Sequence, residues 1–489
     1  MTVPLRKLLT SFVLMLVVTL PAAAQFGQPQ SSKSVFPPQD LADMKRLQQA
    51  ALSDDYAWNQ LAHLTDNIGP RPTGSAQAQA AAEYVAAEMR KLGLEVQLEK
   101  CTVPHWVRGR ETGELVEFPG MAPGTAQKIV LTALGNSVAT PPEGITSDVI
   151  AVRNMEELQA LGREKVQGKI VVFNYPYDEQ LAQQGMAGPA YGQSVVYRVA
   201  GASMAARLGA VAALNRSAGG ADYRLPHTGM MQYADGVNKV PAGSIAAEDA
   251  ALVDRLARQG RVRMHLVLTP QTLEPATSYN VIADLKGSEH PEQVVIVSGH
   301  LDSWDLGTGA IDDGAGVVVS METVKAIKQL GLVPKRTIRF IAWMDEELAG
   351  SGGKQYDADH ANDMANQFAA IETDLGAGHA VGINANGPAE LQALLRPIGN
   401  LLASQGASLI QAGGGGSDIG PLMQKGVPGF SPIQDVRTYF HYHHTAADTL
   451  DKVNPQFLRE NSAVIAVLAY ALATVPQDLP HNPAGPVRE

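Results

Sequence analysis

A chain of 489 residues exceeds one average domain and, at about 150 residues per domain, predicts two or three. With 45% hydrophobic and 18% charged residues it has the apolar material for large cores, and its formal charge of −11 gives no electrostatic support to a nucleic-acid partner. The lone cysteine, Cys101, excludes an intrachain disulfide and a thiolate metal cluster, so any metal must rest on histidine and carboxylate ligands.

The chain opens with Arg6 and Lys7, an apolar run at residues 8–20, and Pro21-Ala22-Ala23-Ala24. A basic start, an apolar stretch of that length and a small-residue site predict a signal peptide, 1–24, cleaved after Ala24 in a secreted or periplasmic protein. The run is too short to span a bilayer comfortably, and no other stretch reads as a span, so none remains after cleavage. Cleavage removes two positive charges and takes the formal −11 to −13. Residues 25–54 follow as a linker and N-terminal segment, polar and flexible to about Gln39.

Residues 55–117 read as the first part of the main domain. Ile68-Gly-Pro-Arg-Pro-Thr-Gly-Ser75 is turn chemistry ending on a helix N-cap, Ser75. The helix covers residues 76–92, with Tyr84, Val85, Met89 and Leu92 at helical spacing, and stops at Gly93. Alternation predicts a strand over 94–103, with Cys101 a small hydrophobe near its end. Residues 118–270 change character: short strands at 149–152 and 169–173 and a helix near 202–208 predict a self-contained β-rich insertion without a ligand cluster. From 271 to 475 strands at 294–298, 337–343 and 368–373 alternate with helices such as 317–330, predicting an α/β sheet with helices on both faces. Residues 476–489 are a tail.

The chemistry-bearing residues sit at the ends of these strands, where α/β sheets bind ligands. His300 and Asp302, two apart on extended chain, point to one face and are either a hydrogen-bonded structural pair or a metal ligand with its orienting carboxylate. In Gly309-Ala-Ile-Asp-Asp-Gly-Ala-Gly316 the two carboxylates either cap a helix or one of them, Asp312, bridges two cations. Asp345-Glu346-Glu347 is a solvated acidic turn or a charge cluster that cations neutralise. Because adjacent side chains on extended backbone diverge, one glutamate can bind metal while the other acts as a base. Asp374 closes the next strand, and His441, His443 and His444 compete for the last position. Charge balances for two zinc ions: Asp312, Glu347 and Asp374 supply −3 and a bridging hydroxide −1. Gly413-Gly-Gly-Gly416 with Ser417 and Asp418 is either a flexible connector or a nest of N–H groups, centred on Gly414 and Gly415, that grips a substrate carboxylate.

The order His-x-Asp, Asp-Asp-x-x-Gly, Glu-Glu, Asp, His-Thr-x-x-Asp-Thr resembles the co-catalytic zinc aminopeptidases and carboxypeptidases of clan MH, over residues 55–475. The resemblance implies a mixed sheet flanked by helices as the catalytic domain, 55–117 and 271–475, interrupted by a protease-associated-like domain. It implies two zinc ions, one on His300 and Asp374, the other on Glu347 and His444, with Asp312 bridging, Glu346 as general base and Asp302 orienting His300. It also implies dipeptide or short-peptide substrates and a homodimer. An aminopeptidase of longer peptides, a glutaminyl-cyclase-like transferase and an inactive binding ectodomain are the alternatives. One departure stands out: relatives often carry Glu-Glu-x-Gly, whereas Leu348-Ala349-Gly350 follows Glu347 here.

Overall fold

The computed structural model describes residues 34–481, so the expected signal peptide, most of the polar linker and the end of the tail lie outside the described residues. Past the expected linker, the N-terminal segment forms a helix. Helix α1, Pro38–Leu52, buries Met44, Leu47 and Ala51. With Leu41, these residues form an apolar helical stripe that packs α1 against the last helix, which pulls the segment into the core.

Helix α2, Ala76–Lys91, starts as its sequence dictates: the Ser75 side chain accepts the Ala78 N–H at 3.1 Å. Strand β1, Glu95–Val107, then pairs antiparallel with β2, Gln271–Leu285, across the insertion. The remaining main-sheet strands are β3, His290–His300; β4, Arg336–Trp343; β5, Gln367–Glu372; β6, Ala380–Asn386; β7, Leu409–Ala412; and β8, Gly429–Gln434. Their spatial order is β1-β2-β4-β3-β5-β8-β6-β7, with β4, β3, β5 and β8 parallel at the centre and antiparallel pairs on either side. The sheet is mixed, flanked by helices on both faces. On β3, Val295 and Val297 face one core, while Val294 and Ile296 face another.

A second sheet takes in residues on both sides of the expected 118 boundary. Glu111–Glu117 pairs with Gln127–Ile129 and Arg263–Leu268, so it belongs to a second eight-stranded sheet rather than to the main domain. That sheet is not purely β in its surroundings. Parallel strands Ile145–Val152, Ile170–Phe173, Ala212–Arg216 and Ala242–Ile245 pack against a 21-residue helix, α3, Ala187–Arg207. Gly188, Gly192 and Gly201 interrupt the apolar spacing of α3 and hide most of it from periodicity. Gly201 is there for contact, since a Cβ would lie 2.9 Å from the Phe173 ring.

Helix α4, Ala315–Gln329, follows the Asp312 loop, and α5, Pro455–Thr474, closes the fold. By length and composition α5 could cross a membrane, a reading the sequence analysis did not make; its residues from Ser462 to Thr474 are all buried within the protein core.

Candidate metal centre and active site

The parallel centre of the main sheet delivers its functional groups at its carboxyl edge, as such sheets do. His300 ends β3. Its Nδ1–H meets the Asp302 carbonyl oxygen at 3.0 Å, which turns Nε2 toward Asp312 Oδ1 and Asp374 Oδ1, each at 3.3 Å. On the other side of Asp312, His444 Nε2 lies 3.2 Å from Asp312 Oδ2 and 3.0 Å from Glu347 Oε2. Asp312 thus stands between two histidine–carboxylate pairs, one oxygen toward each. Two overlapping groups have the spacing of a metal site: His300, Asp312, Asp374 and Asp312, Glu347, His444. All five residues except Asp374 are buried.

The loops carrying these groups are tied together by Arg71 and Asp448. Arg71, fully buried, donates to the carbonyls of Leu301 at 2.7 Å, Thr308 at 2.7 Å and Gly309 at 2.8 Å. Asp448 Oδ1 accepts the N–H groups of Ala310 and Ile311. These residues explain two sequence features, Ile68-Gly-Pro-Arg71 and the aspartate of His-Thr-Ala-Ala-Asp-Thr, as loop fasteners.

Asp302 differs from its expected role. Its carboxylate is 3.9 Å from His300 Nδ1; instead it accepts the N–H groups of Asp345 at 2.7 Å, Glu346 at 3.2 Å and Glu347 at 3.3 Å, and the Thr73 hydroxyl at 2.8 Å. The carbonyl orients the histidine while the carboxylate shapes the Glu346–Glu347 turn. That turn is not extended backbone, because Asp345 takes a φ of +71°, so the expected divergence of the two glutamates does not arise. Both line the same cavity. The departure at Leu348-Ala349-Gly350 is absorbed by Gly350, whose N–H returns to the Asp345 carbonyl at 2.6 Å.

The glycine loop also departs from expectation. Gly414 packs against Asn384 and Ser431, and Gly415 donates its N–H toward Ser431 Oγ. The N–H groups of Asp418 and Ile419 go to the buried carboxylate of Glu372. Gly414 and Gly415 do not line the cavity. Ser417 hydrogen-bonds Glu346, and Asp418 is a buried carboxyl pushed up by burial and by Glu372.

The insertion was expected to contain no ligand cluster of its own; it supplies three single groups to the site. His227 Nε2 is 3.2 Å from His443 Nδ1, and His227, His443 and His444 form a third cluster of metal-ligand spacing. Arg198 and Tyr191 on α3 line the cavity of about 270 Å³ that Asp312, Glu346, Glu347, Asp374 and His444 also line. His443 stacks on His444 with ring centroids 3.6 Å apart, so it supports the neighbouring ring.

Charge in this pocket is finely opposed. Burial pushes Glu346 up to about 7, helped by Asp374 and opposed by His300. Burial likewise takes Glu347 to about 8, and His444 pulls against it. Burial disfavours the His444 cation, but Glu347 and Asp312 outweigh it and raise the imidazole to about 9. At Asp312 burial is overcome by His443, His300 and His444, which hold its carboxylate well below the usual range.

The description of peptidase family M28 matches residues 280–469, the stretch that contains all five clustered groups. Carboxypeptidase Q of Bos taurus is 38% identical over 428 residues, covering 87% of each chain. The crystal structure of a peptidase M28 precursor from Shewanella amazonensis superposes with a TM-score of 0.85 at 35% identity, covering 92% of this chain and 99% of that one. The chain belongs to peptidase family M28. It is a zinc-dependent metallopeptidase. A zinc aminopeptidase from Bacillus subtilis shares the fold, with a TM-score of 0.62 at 21% identity.

The M28 site fits metal on its own chemistry. Glu347 Oε1 is buried with no hydrogen-bond partner among the described residues, and Asp312 Oδ2 has only the His444 and His443 imidazoles beside it, a costly setting for carboxylate oxygens that a cation relieves. The donors are nitrogen and oxygen only, the set zinc takes in the absence of thiolates.

Proposed function

We propose that this M28 peptidase is an exported exopeptidase with two zinc ions per chain, cleaving dipeptides or short peptides with Glu346 as general base. The observation that carries the reading is the placement of Asp312 with one oxygen toward His300 and Asp374 and the other toward Glu347 and His444. His300 and Asp374 would hold one ion, Glu347 and His444 the second, and Asp312 both. When bound, the ions supply Lewis acidity toward the scissile carbonyl and lower the pKa of water at the site.

The chain's own residues do the rest. Glu346, in the cavity beside the candidate ligands, takes a proton from the attacking water and returns it to the departing amine. Asp302 holds the backbone that carries Glu346 and Glu347, so base and ligand stay in register. Trp304 Nε1 donates to Glu347 Oε2 at 2.5 Å, fixing which oxygen faces His444. Tyr191, Tyr439 and Phe440 wall the cavity and limit water.

The second sheet supports a protease-associated-like identity for the insertion, and residues 1–24 support export; N-terminal sequencing of the mature protein checks the latter. The name carboxypeptidase Q on a relative of matching length supports action near a free C-terminus. The deciding assay is hydrolysis of paired dipeptides, free and blocked at either end. Loss of turnover on blocking the C-terminus supports the dipeptidase or carboxypeptidase reading; loss only on blocking the N-terminus means an aminopeptidase.

A further inference from the structure

The loop that joins the insertion strands Ala212–Arg216 and Ala242–Ile245 is fastened to the loop that carries His443 and His444. Gly220 N–H donates to the Phe440 carbonyl at 3.0 Å, and Thr228 N–H donates to the His444 carbonyl at 2.9 Å. Gly219 permits the approach, since a Cβ there would lie 2.1 Å from the Phe440 carbonyl oxygen. Between these two ties the loop buries His227 and sets its Nε2 3.2 Å from His443 Nδ1. The His227 backbone N–H donates to Ser217 Oγ at 3.1 Å, which holds the residue in place.

His443 lines the cavity as a clamped ring: it stacks on His444 at 3.6 Å with the planes 15° apart and meets Tyr191 edge-on at 5.3 Å. With Nδ1 turned to His227, its other nitrogen, Nε2, stands 3.5 Å from Asp312 Oδ2. That is longer than a hydrogen bond, so Nε2 is not spent on the carboxylate. Only one hydrogen fits between the facing nitrogens of His227 and His443, which leaves two arrangements of the neutral rings. If His443 carried it, a bare Nε2 lone pair would face the Asp312 carboxylate, and His227 Nδ1, which is buried with no partner, would be a donor with nothing to meet. If His227 carries it, His443 bears its own hydrogen on Nε2, beside Asp312 in the cavity, and His227 Nδ1 is only an idle acceptor. The second arrangement costs less.

We infer that His443 donates a hydrogen bond from Nε2 to the scissile carbonyl oxygen of the substrate, and that His227 is the positioning residue that fixes the tautomer for it. This rests on the peptidase reading above and deepens it. As the water oxygen bonds to the carbonyl carbon, the π pair of the C=O bond moves onto its oxygen, and a donor already aimed at that oxygen stabilises the new charge. His443 transfers no proton, so Glu346 keeps its part. The insertion then has a function: it sets which nitrogen of a histidine in the cavity bears the hydrogen.

The test joins a long-range proton–nitrogen correlation spectrum of histidine-labelled, zinc-loaded protein to steady-state rates on Ala-Ala. It covers the wild type, His443→Phe, His227→Leu, His227→Gln and the double variant His443→Phe with His227→Leu, with zinc per chain and Tm measured in each. The His443 signals, assigned by their loss in His443→Phe, show a neutral ring with its hydrogen on Nε2 in the wild type. His443→Phe keeps a stacked ring and lowers kcat by about 10²–10³, the value for one oxyanion donor, with little change in KM. His227→Leu mixes the two His443 tautomers and lowers kcat by about 10–100-fold, the usual cost of losing a group that orients a histidine at a metal centre. His227→Gln, which keeps an N–H for Nδ1, recovers most of that loss, and the double variant is no slower than His443→Phe alone. Zinc per chain and Tm stay at wild-type values throughout. Hydrogen on Nδ1, or on both nitrogens, of His443 in the wild type overturns the assignment without any variant. So does near-normal kcat in His443→Phe, or a double variant whose losses multiply. Loss of zinc in either single variant, or a third zinc ion that disappears with His227, would make the pair metal ligands and overturn it too. Absence of turnover on a panel of free dipeptides by the wild type contradicts the peptidase reading itself, and the spectrum still decides the tautomer.

Discussion

Glu346 and Glu347 are sequence neighbours with separate expected effects. Glu346→Gln keeps metal and lowers kcat by about 10²–10⁴, the contribution of a general base; steady-state rates paired with elemental analysis check it, and near-normal turnover would remove Glu346 from the mechanism. Asp302→Asn sets an amide N–H₂ against two of the four donors that meet the carboxylate, either the Asp345 and Glu346 N–H groups or the Glu347 N–H and the Thr73 hydroxyl. Zinc affinity or kcat/KM then falls by about 10–100-fold, as for other groups that support ligands; unchanged values of both would show that the turn holds without it. The five clustered residues were legible as candidates because each lies in a short local motif near a strand end. Arg198 and His227 were not, because they reach His444 and His443 from 246 and 216 residues away and carry no local ligand pattern. For Asp302, spacing shows that it shares a face with His300, not which of its atoms faces the imidazole.

Among the elements, α4 holds a second titratable feature far from the cavity. Glu322 is 1% exposed and neither of its oxygens accepts a hydrogen bond. Burial pushes its carboxyl from 4.5 to about 8, with Lys325 opposing and Asp54 adding. Lys325 lies 3.5 Å from Glu322 and pairs with Asp54. Because the folded value is raised, the folded state binds the proton more tightly. Its stabilisation is complete below 4.5 and is lost as pH rises from 4.5 toward 8. Glu322→Gln therefore raises stability at pH 8 relative to pH 5, by up to about 4 kcal/mol. Thermal unfolding at the two pH values measures this, and an equal change in Tm at both would contradict it. The main helices and strands were readable from periodicity, since α2 has an N-cap and β3 an uninterrupted apolar run. Helix α3 was largely hidden by its glycines, and the Asp345–Gly350 turn by the assumption that a strand continued.

For the whole molecule, the mixed sheet and its interruption followed from the alternation of strands and helices, while the insertion boundary required strand pairing. Glu111–Glu117 has no sequence mark that assigns it to one sheet rather than the other; its partner, Arg263–Leu268, lies some 150 residues later. The unpartnered Glu347 Oε1 and the carboxylates gathered around Asp312 imply that the protein is less stable without metal. Chelation should lower Tm and added zinc should restore it, the shift growing with free zinc concentration by mass action; a Tm indifferent to chelator would mean that the cluster is stable without cations. The central claim, a pair of ions shared by Asp312, is tested most directly by counting zinc per chain in the purified wild type. Elemental analysis should return two zinc ions per chain, and one or none at saturating zinc would contradict the account.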